Sequence, residues 1–382
     1  MDFDLNDEQR QLKDSVDRLL ADTYGELAER AGYMKQPKGY SDALWRQYAE
    51  LGLLAVPFAE EHGGLGQGLT ETMIIAEAFG RALALEPYLA TVVMSGGALR
   101  HAGNQAALKE LVPQIVEGRL TMALAHQEKQ ARFDLADTAT TARADGKGGY
   151  TLEGEKRVVW HGDSADKLIV TARVSGNRTD RSGIGLFLVD GKASGVTRRG
   201  YPTQDGMRAA DVTLSAVRVG QDAVIAGPDK GLAVLERVVD ETIAALSAEA
   251  VGAMAALQEL TVDYLKTRKQ FGVPIGSFQV LQHKAVDMLT YLEEARSMAY
   301  YATMMAAEPD ASERKRAMSA AKVQIGKSAR FVGENAIQLH GGIGMTMEYK
   351  AGHYFKRLTM IDLAFGDTDH HLRALARAGG LT

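Results

Sequence analysis

Cysteine is missing altogether: none of the 382 residues carries a thiol. Disulfides, cysteine-held zinc, iron–sulfur clusters and thiol nucleophiles are excluded in one step. A reducing, cytoplasmic setting is the expectation that follows. The chain lacks any uninterrupted run of about 18 apolar residues, which predicts no membrane span. Its opening, Met1-Asp2-Phe3-Asp4-Leu5, is acidic where a signal or transit peptide is basic. Positive charge is not in excess either: 44 Lys and Arg stand against 49 Asp and Glu, a net −5. That balance argues against nucleic acid and an anionic membrane surface as partners. Proline is scarce, 8 residues beside 40 glycines, so turns must be made mostly by glycine.

What is present suits an ordinary folded protein, 46% hydrophobic and 24% charged, too apolar for disorder. Length suggests two or three domains at roughly 100–200 residues each. The first stretch reads as helices. Leu12, Val16, Leu19 and Leu20 recur at helical spacing, and Ser41 can cap a helix whose apolar side is Leu44, Trp45, Tyr48 and Leu51. Near residue 119 the period changes to short β-type runs such as Lys167-Leu168-Ile169-Val170-Thr171 and Gly185-Leu186-Phe187-Leu188-Val189. Clusters such as Gly146-Lys147-Gly148-Gly149 separate them. An antiparallel barrel or sandwich is expected there. Beyond Gly231 the segments 235–268, 278–307 and 314–339 are long, rich in Ala, Met and Leu, and suit a helical bundle. The expected organisation is an N-terminal helical domain (1–118), a middle β-barrel (119–225) and a C-terminal four-helix bundle (226–382).

Common catalytic signatures fail. Gly326-Lys327-Ser328 ends like a phosphate-binding loop, but Ala321 stands where its first Gly belongs and the segment is helical. Gly183-Ile184-Gly185 has Leu188 in place of the third Gly of a dinucleotide fingerprint. His370 and His371 are adjacent, so a helix turns them apart and no metal site is expected.

Two stretches are specific. One is Arg268-Lys269-Gln270-Phe271-Gly272-Val273-Pro274-Ile275; the other is Gln338-Leu339-His340-Gly341-Gly342-Ile343-Gly344-Met345-Thr346. An Arg at a helix end beside Phe-Gly offers a charged fork and a flat ring to a nucleotide diphosphate. Gln-x-x-Gly-Gly removes Cβ atoms, so backbone N–H groups can approach phosphate or ribose. Taken singly, the glycines read as a helix C-cap and Arg268 as a surface cation. Together, and with Pro57, Glu60, Gly63, Gly64 and Gly66 in a third motif, they resemble the acyl-CoA dehydrogenase family along the whole chain.

The resemblance implies the family's three-part fold and its cofactor, FAD. It assigns Arg268, Phe271, Gln338, Gly341 and Gly342 to the ADP half of an FAD whose flavin sits in a neighbouring subunit, with Thr368 a further cofactor contact. It implies a tetramer built on the C-terminal helices, and electron-transfer flavoprotein as electron acceptor. The implied reaction is α,β-dehydrogenation of an acyl-CoA. A carboxylate takes the α-proton while the β-hydrogen leaves as hydride to the flavin.

That carboxylate is absent where the family keeps it. Alignment from Gln338 puts Phe365 at the usual Glu, or Gly366 if matched to Thr368; Asp367 is the nearest carboxylate. The alternative upstream base position is Thr242, with Glu241 adjacent but turned about 100° on a helix, where a solvated side chain is expected. Ile243 replaces an Arg that often serves CoA. The flavin-contacting strands depart too, with Ala125-His126-Gln127 for Thr-Glu-Pro and Val158-Val159-Trp160 for Trp-x-Thr. Trp160 is expected in the β-domain core. Residues serving a neighbour's FAD are kept and those serving the chain's own chemistry are lost. This pattern, with Gly-Tyr-Pro-Thr-Gln-Asp at 200–205 and Phe365-Gly366-Asp367, resembles the small subunits of the family's two-chain pimeloyl-CoA branch. An α2β2 enzyme with a homologous large subunit is implied. A homotetramer using Asp367 or Glu241, and a purely structural paralogue, are the alternatives.

Overall fold

The computed structural model describes residues 5–379, so the acidic opening through Asp4 lies outside it. Contacts divide the chain into two compact units. One comprises Met1–Gly32, Leu69–Ala84 and Ile243–Thr382, the other Tyr33–Gly68 and Leu85–Thr242.

The first unit is helical. Helix α1 (Asp7–Tyr24) opens on a reciprocal cap in which Asn6 and Gln9 satisfy each other's backbone N–H. After α2 (Leu27–Met34) and α3 (Asp42–Glu50), α4 (Leu69–Ala82) returns to this unit. Its other helices are α7 (Gly231–Thr267, from Ile243 onward), α8 (Gln279–Met305), α9 (Ala311–His340), α10 (Lys350–Leu363) and the short α11 (Thr368–Arg377). Helices α4 and α7 meet through two glycines. A Cβ on Gly80 would fall 1.9 Å from the Glu249 carbonyl oxygen, and one on Gly252 1.8 Å from that of Glu77. Only residues without a side chain allow the two backbones this close. The crossing is braced by Arg357 and Glu249, a buried pair at 2.6 Å, and by Gln258, which donates to the Ala285 carbonyl at 2.9 Å. By length and hydropathy α7 could span a membrane, yet 83% of its most apolar window is buried, as in the core helix of a folded domain.

The second unit carries the sheet. Ser41 caps α3 as its sequence predicts, accepting from the Leu44 N–H. A π-helical turn at Leu89–Ser95, which no sequence signal announces, leads through α5 (Gly96–Ala102) and α6 (Gln105–Val116). Thr91 in that turn both donates to and accepts from Met122 at 3.0 Å, fastening it to the first strand. The strands are β1 (Met122–Ala125), β2 (Thr141–Ala144), β3 (Tyr150–Trp160), β4 (Lys167–Arg173), β5 (Ile184–Asp190), β6 (Val196–Pro202), β7 (Arg208–Val219) and β8 (Val224–Ala226). They run β6-β7-β3-β2-β4-β5-β8, with β1 also on β4.

This corrects the expected barrel. Among the described residues, strand β6 pairs only with β7 and β8 only with β5, so the sheet stays open. It is not wholly antiparallel, since β1 and β2 both pair with β4 in parallel. Strand spacing carries no information about closure. The edges explain it: β8 has three residues and β6 is exposed with Arg198 and Arg199 upon it, features that discourage further pairing. The core beneath is made by Leu152, Leu168, Val170, Phe187, Val212 and Leu214 among others. Trp160 is half-buried at the end of β3, and Val159 takes the core position instead. A register irregularity between Lys156 and Val159, with Val158 at φ 50°, shifts the side chains there.

Substituting Gly252→Ala is expected to destabilise the protein by roughly 1–3 kcal/mol through overpacking. A thermal melt against wild type checks this; Gly342→Ala, whose Cβ meets nothing within 4 Å, serves as the neutral control.

Candidate cofactor surface and the missing base

Helix α7 ends at Thr267 and hands over to a two-stranded hairpin, β9 (Lys269–Gln270) and β10 (Val273–Pro274). The Arg268 carbonyl accepts from the Ile275 N–H at 2.8 Å, closing its base. Phe271 and Gly272 form the tip with φ of 53° and 83°, the left-handed pair a two-residue turn requires. The tip leaves Phe271 90% exposed, touching only the edge of Phe278 at 6.2 Å. An aromatic ring so placed has no packing role within its own protomer.

The second stretch ends helix α9. Gly341 has φ 63° and donates its N–H to the Gln338 and Ile337 carbonyls, so it is a helix C-cap. Gly342 is different: its φ is not left-handed, and an added Cβ would meet nothing within 4 Å. Nothing in this chain requires a glycine there, whereas a ligand approaching the backbone from outside would. The two stretches are neighbours. His340 lies against Tyr264, ring centroids 4.6 Å apart, and against Tyr349 at 5.1 Å. Tyr264 accepts the Arg268 N–H one helical turn away. This aromatic stack was not read from the sequence; Tyr349 follows the second stretch, but Tyr264 carries no motif and only the fold joins it to His340 and Tyr349. Burial lowers the pKa of His340, keeping it neutral. Gln338, Gly341, Gly342, Arg268 and Phe271 are all exposed. A guanidinium, a flat ring and an exposed glycine backbone on one open surface fit the phosphate and ribose half of FAD.

Thr368 stands apart. It begins α11, and its hydroxyl donates to Asp362 Oδ1 at 2.8 Å. A Cβ on Gly326 of α9 would sit 2.2 Å from that hydroxyl oxygen, so Thr368 is packed beside Gly326. Roughly 18 Å of helix separates Gly326 from Gln338.

The carboxylate candidates are both committed. Asp367 caps α11, accepting from the His370 N–H at 2.8 Å. Glu241 is not the solvated residue expected: it is 4% exposed and held at both oxygens. Arg100 donates to Oε2 at 2.7 Å and His101, through Nε2–H, to Oε1 at 2.8 Å. Burial alone would raise its pKa, but the His101 hydrogen bond and the Arg100 charge prevail and bring it to about 2. A carboxylate so acidic is a poor proton acceptor. The sequence signal was available in Arg100-His101, at the end of a short helix 140 positions upstream, with no spacing rule to connect it. At the alternative base position, Thr242 donates to the Val238 carbonyl in its own helix. On the sheet, Lys156 is fully buried on Glu128 at 2.6 Å and also donates to Thr171 at 2.9 Å. Burial lowers the Lys156 pKa and, with the Lys156 charge, brings neighbouring His126 to about 4, so His126 is neutral.

Glu241→Gln is expected to lower stability by roughly 1–3 kcal/mol at pH 7, since Arg100 loses its charge partner and one of the two hydrogen bonds its acceptor. A carboxylate with depressed pKa stabilises the fold above its ordinary value of 4.5 and ceases to as pH falls towards 2. The difference in Tm between wild type and variant should therefore narrow at pH 3.

Comparison with known proteins agrees with this geometry. The family descriptions "Acyl-CoA dehydrogenase, N-terminal domain", "middle domain" and "C-terminal domain" match residues 6–119, 123–218 and 229–380. Acyl-CoA dehydrogenase fadE12 of Mycobacterium tuberculosis is 30% identical across 81% of this chain and 80% of its own. Among solved structures, a variant of the Tcur3481–Tcur3483 steroid ACAD is 29% identical with TM-score 0.86, covering 98% of this chain and 99% of that one. The FAD complex of PigA is 26% identical with TM-score 0.89, both chains covered completely. The chain belongs to the acyl-CoA dehydrogenase family, flavoprotein oxidoreductases whose cofactor is FAD.

Proposed function

We propose that this chain is one subunit of a two-chain FAD-dependent acyl-CoA dehydrogenase. In this reading it completes a cofactor site whose catalytic carboxylate belongs to a homologous partner. The observation that carries the reading is that Asp367 and Glu241, the two nearest carboxylates, are already bound. The cofactor-facing residues, by contrast, lie open on the surface. FAD, when bound, supplies the acceptor for the β-hydride. Arg268 is assigned to hold phosphate, Phe271 to cover the nucleotide face, and the Gly341–Gly342 backbone with Gln338 to bind ribose or diphosphate. Thr368 is assigned a further contact.

Assembly through the C-terminal helices is supported by α8, whose Val280, Val286 and Leu289 remain exposed. The Tcur3481–Tcur3483 relative carries two chain names, which supports a mixed rather than uniform assembly here. The stretch at 200–205, which forms the β6–β7 hairpin with Asp205 buried, supports a dicarboxylyl-CoA such as pimeloyl-CoA by its resemblance to that branch. Electron-transfer flavoprotein is the proposed acceptor.

The chain purified alone is expected to show little dehydrogenation, and co-expression with its partner to restore it; full activity of the pure homomer overturns the reading. In the mixed complex, Arg268→Gln is expected to weaken FAD retention ten- to a hundredfold. That range is the equivalent of about 1.5–3 kcal/mol for one charged hydrogen bond. Flavin absorbance per mass of native complex measures it.

A further inference from the structure

Two lysines are wholly buried, and they are held in opposite ways. Lys156 has its carboxylate, Glu128. Lys322, on the middle of α9 and 1% exposed, has none: among the described residues its ammonium donates only to main-chain carbonyls, those of Ile361 at 2.7 Å and Asp362 at 2.9 Å. These are among the last carbonyls of α10; that of Ile361 also accepts the Ala364 N–H at 3.3 Å. A desolvated cation with no carboxylate bonded to it directly opposes folding. Burial brings its pKa down to about 8, against the favourable charges of Asp362 and Asp367. The position thus works against stability, and an uncharged cap would avoid that.

Both carbonyls that Lys322 bonds lie in the last turn of α10, just ahead of the turn into α11. The same turn is fixed from three other sides. Thr368 donates its hydroxyl and its N–H to Asp362 Oδ1. Gly326, one turn along α9 from Lys322, leaves room for both groups. His371 donates through Nε2–H to the Phe365 carbonyl at 3.2 Å and accepts the Ser319 hydroxyl at Nδ1, 3.1 Å away. Burial, with the charges of Lys322 and His370, lowers the pKa of His371 to about 3, so it keeps that tautomer at neutral pH. Phe365 and Gly366 are held at φ of 56° and 116°, the former an uncommon conformation for a bulky residue.

We infer that Lys322 is a positioning residue whose buried ammonium sets the path of the Ala364–Thr368 turn, and through it the placement of Thr368. The turn has lost the family's carboxylate and kept its scaffold, so the retained element is the threonine. This rests on the assignment of Thr368 as an FAD contact. The proposal differs from a packing role in one respect: removing the charge should loosen the turn locally without weakening the fold.

The test compares Lys322→Met, of similar length without charge, with Lys322→Arg and Thr368→Val in the full chain and in the complex with its partner. In Lys322→Met, hydrogen exchange at the Thr368 and His370 amides is expected to rise at least tenfold, with Tm unchanged or raised. FAD retention should fall by a similar factor, and Lys322→Arg should recover part of both. Unchanged exchange at those amides overturns the proposal, and so does a lowered Tm with faster exchange throughout the unit. If Thr368→Val leaves FAD retention unaltered, the assignment of Thr368 fails, while local exchange still judges Lys322. If Thr368→Val weakens retention and Lys322→Met does not, the positioning role fails and the assignment stands.

Discussion

Both oxygens of the Glu241 carboxylate are taken by Arg100 and His101 of helix α5, and this triad commits the carboxylate to structure. Proton abstraction requires a carboxylate whose pKa lies near the working pH and whose lone pairs are open. The triad removes both conditions at once, while the N-cap role of Asp367 occupies one oxygen of the other candidate. A buried charge has to be paired, and a paired charge is withdrawn from acid–base chemistry. The chain therefore keeps carboxylates close to the family's base positions, each with a structural partner.

The sequence was most informative where a residue's role is local. The Ser41 cap and the long C-terminal helices follow from rules that span only a few residues. Non-local facts were hidden. Glu241 looked like a surface residue because its partners lie 140 positions or more away, and the sheet looked like a barrel because strand periodicity is blind to whether the first and last strands meet. The π-helical turn at Leu89–Ser95 has no propensity signature, since Thr91 bonds to a distant strand there. The placement of Trp160 depended on one register irregularity, which reverses inside and outside in a strand.

The glycines of the Gln-x-x-Gly-Gly motif separate two kinds of constraint. Gly341 answers to its own helix, because a left-handed cap needs it. Gly342 answers to nothing in the chain. Phe271 shows the same contrast, with a backbone fixed by its hairpin and a ring that faces solvent. Where a protomer explains the backbone of a residue but not its side chain, the explanation belongs to a partner or a ligand. At this surface the chemistry of the groups supports the nucleotide proposed above.

One unit takes its helices from both ends of the chain, α1 and α4 early, α8 to α11 late, with the second unit's residues between and within them. Its order of synthesis is therefore the reverse of convenient. Helix α1 buries Val16 and Leu20 within the finished unit, yet the stretch from Ile243 onward leaves the ribosome only later. At about 5–20 residues per second, the roughly two hundred residues between them impose a delay on the order of ten to forty seconds. During it the sheet unit's segments are complete by Thr242, while α1 has only α4 to pack against and α8 to α11 are still to come. A newly made chain thus carries two helices of a unit whose remaining core has yet to arrive, the kind of nascent species that chaperones exist to hold.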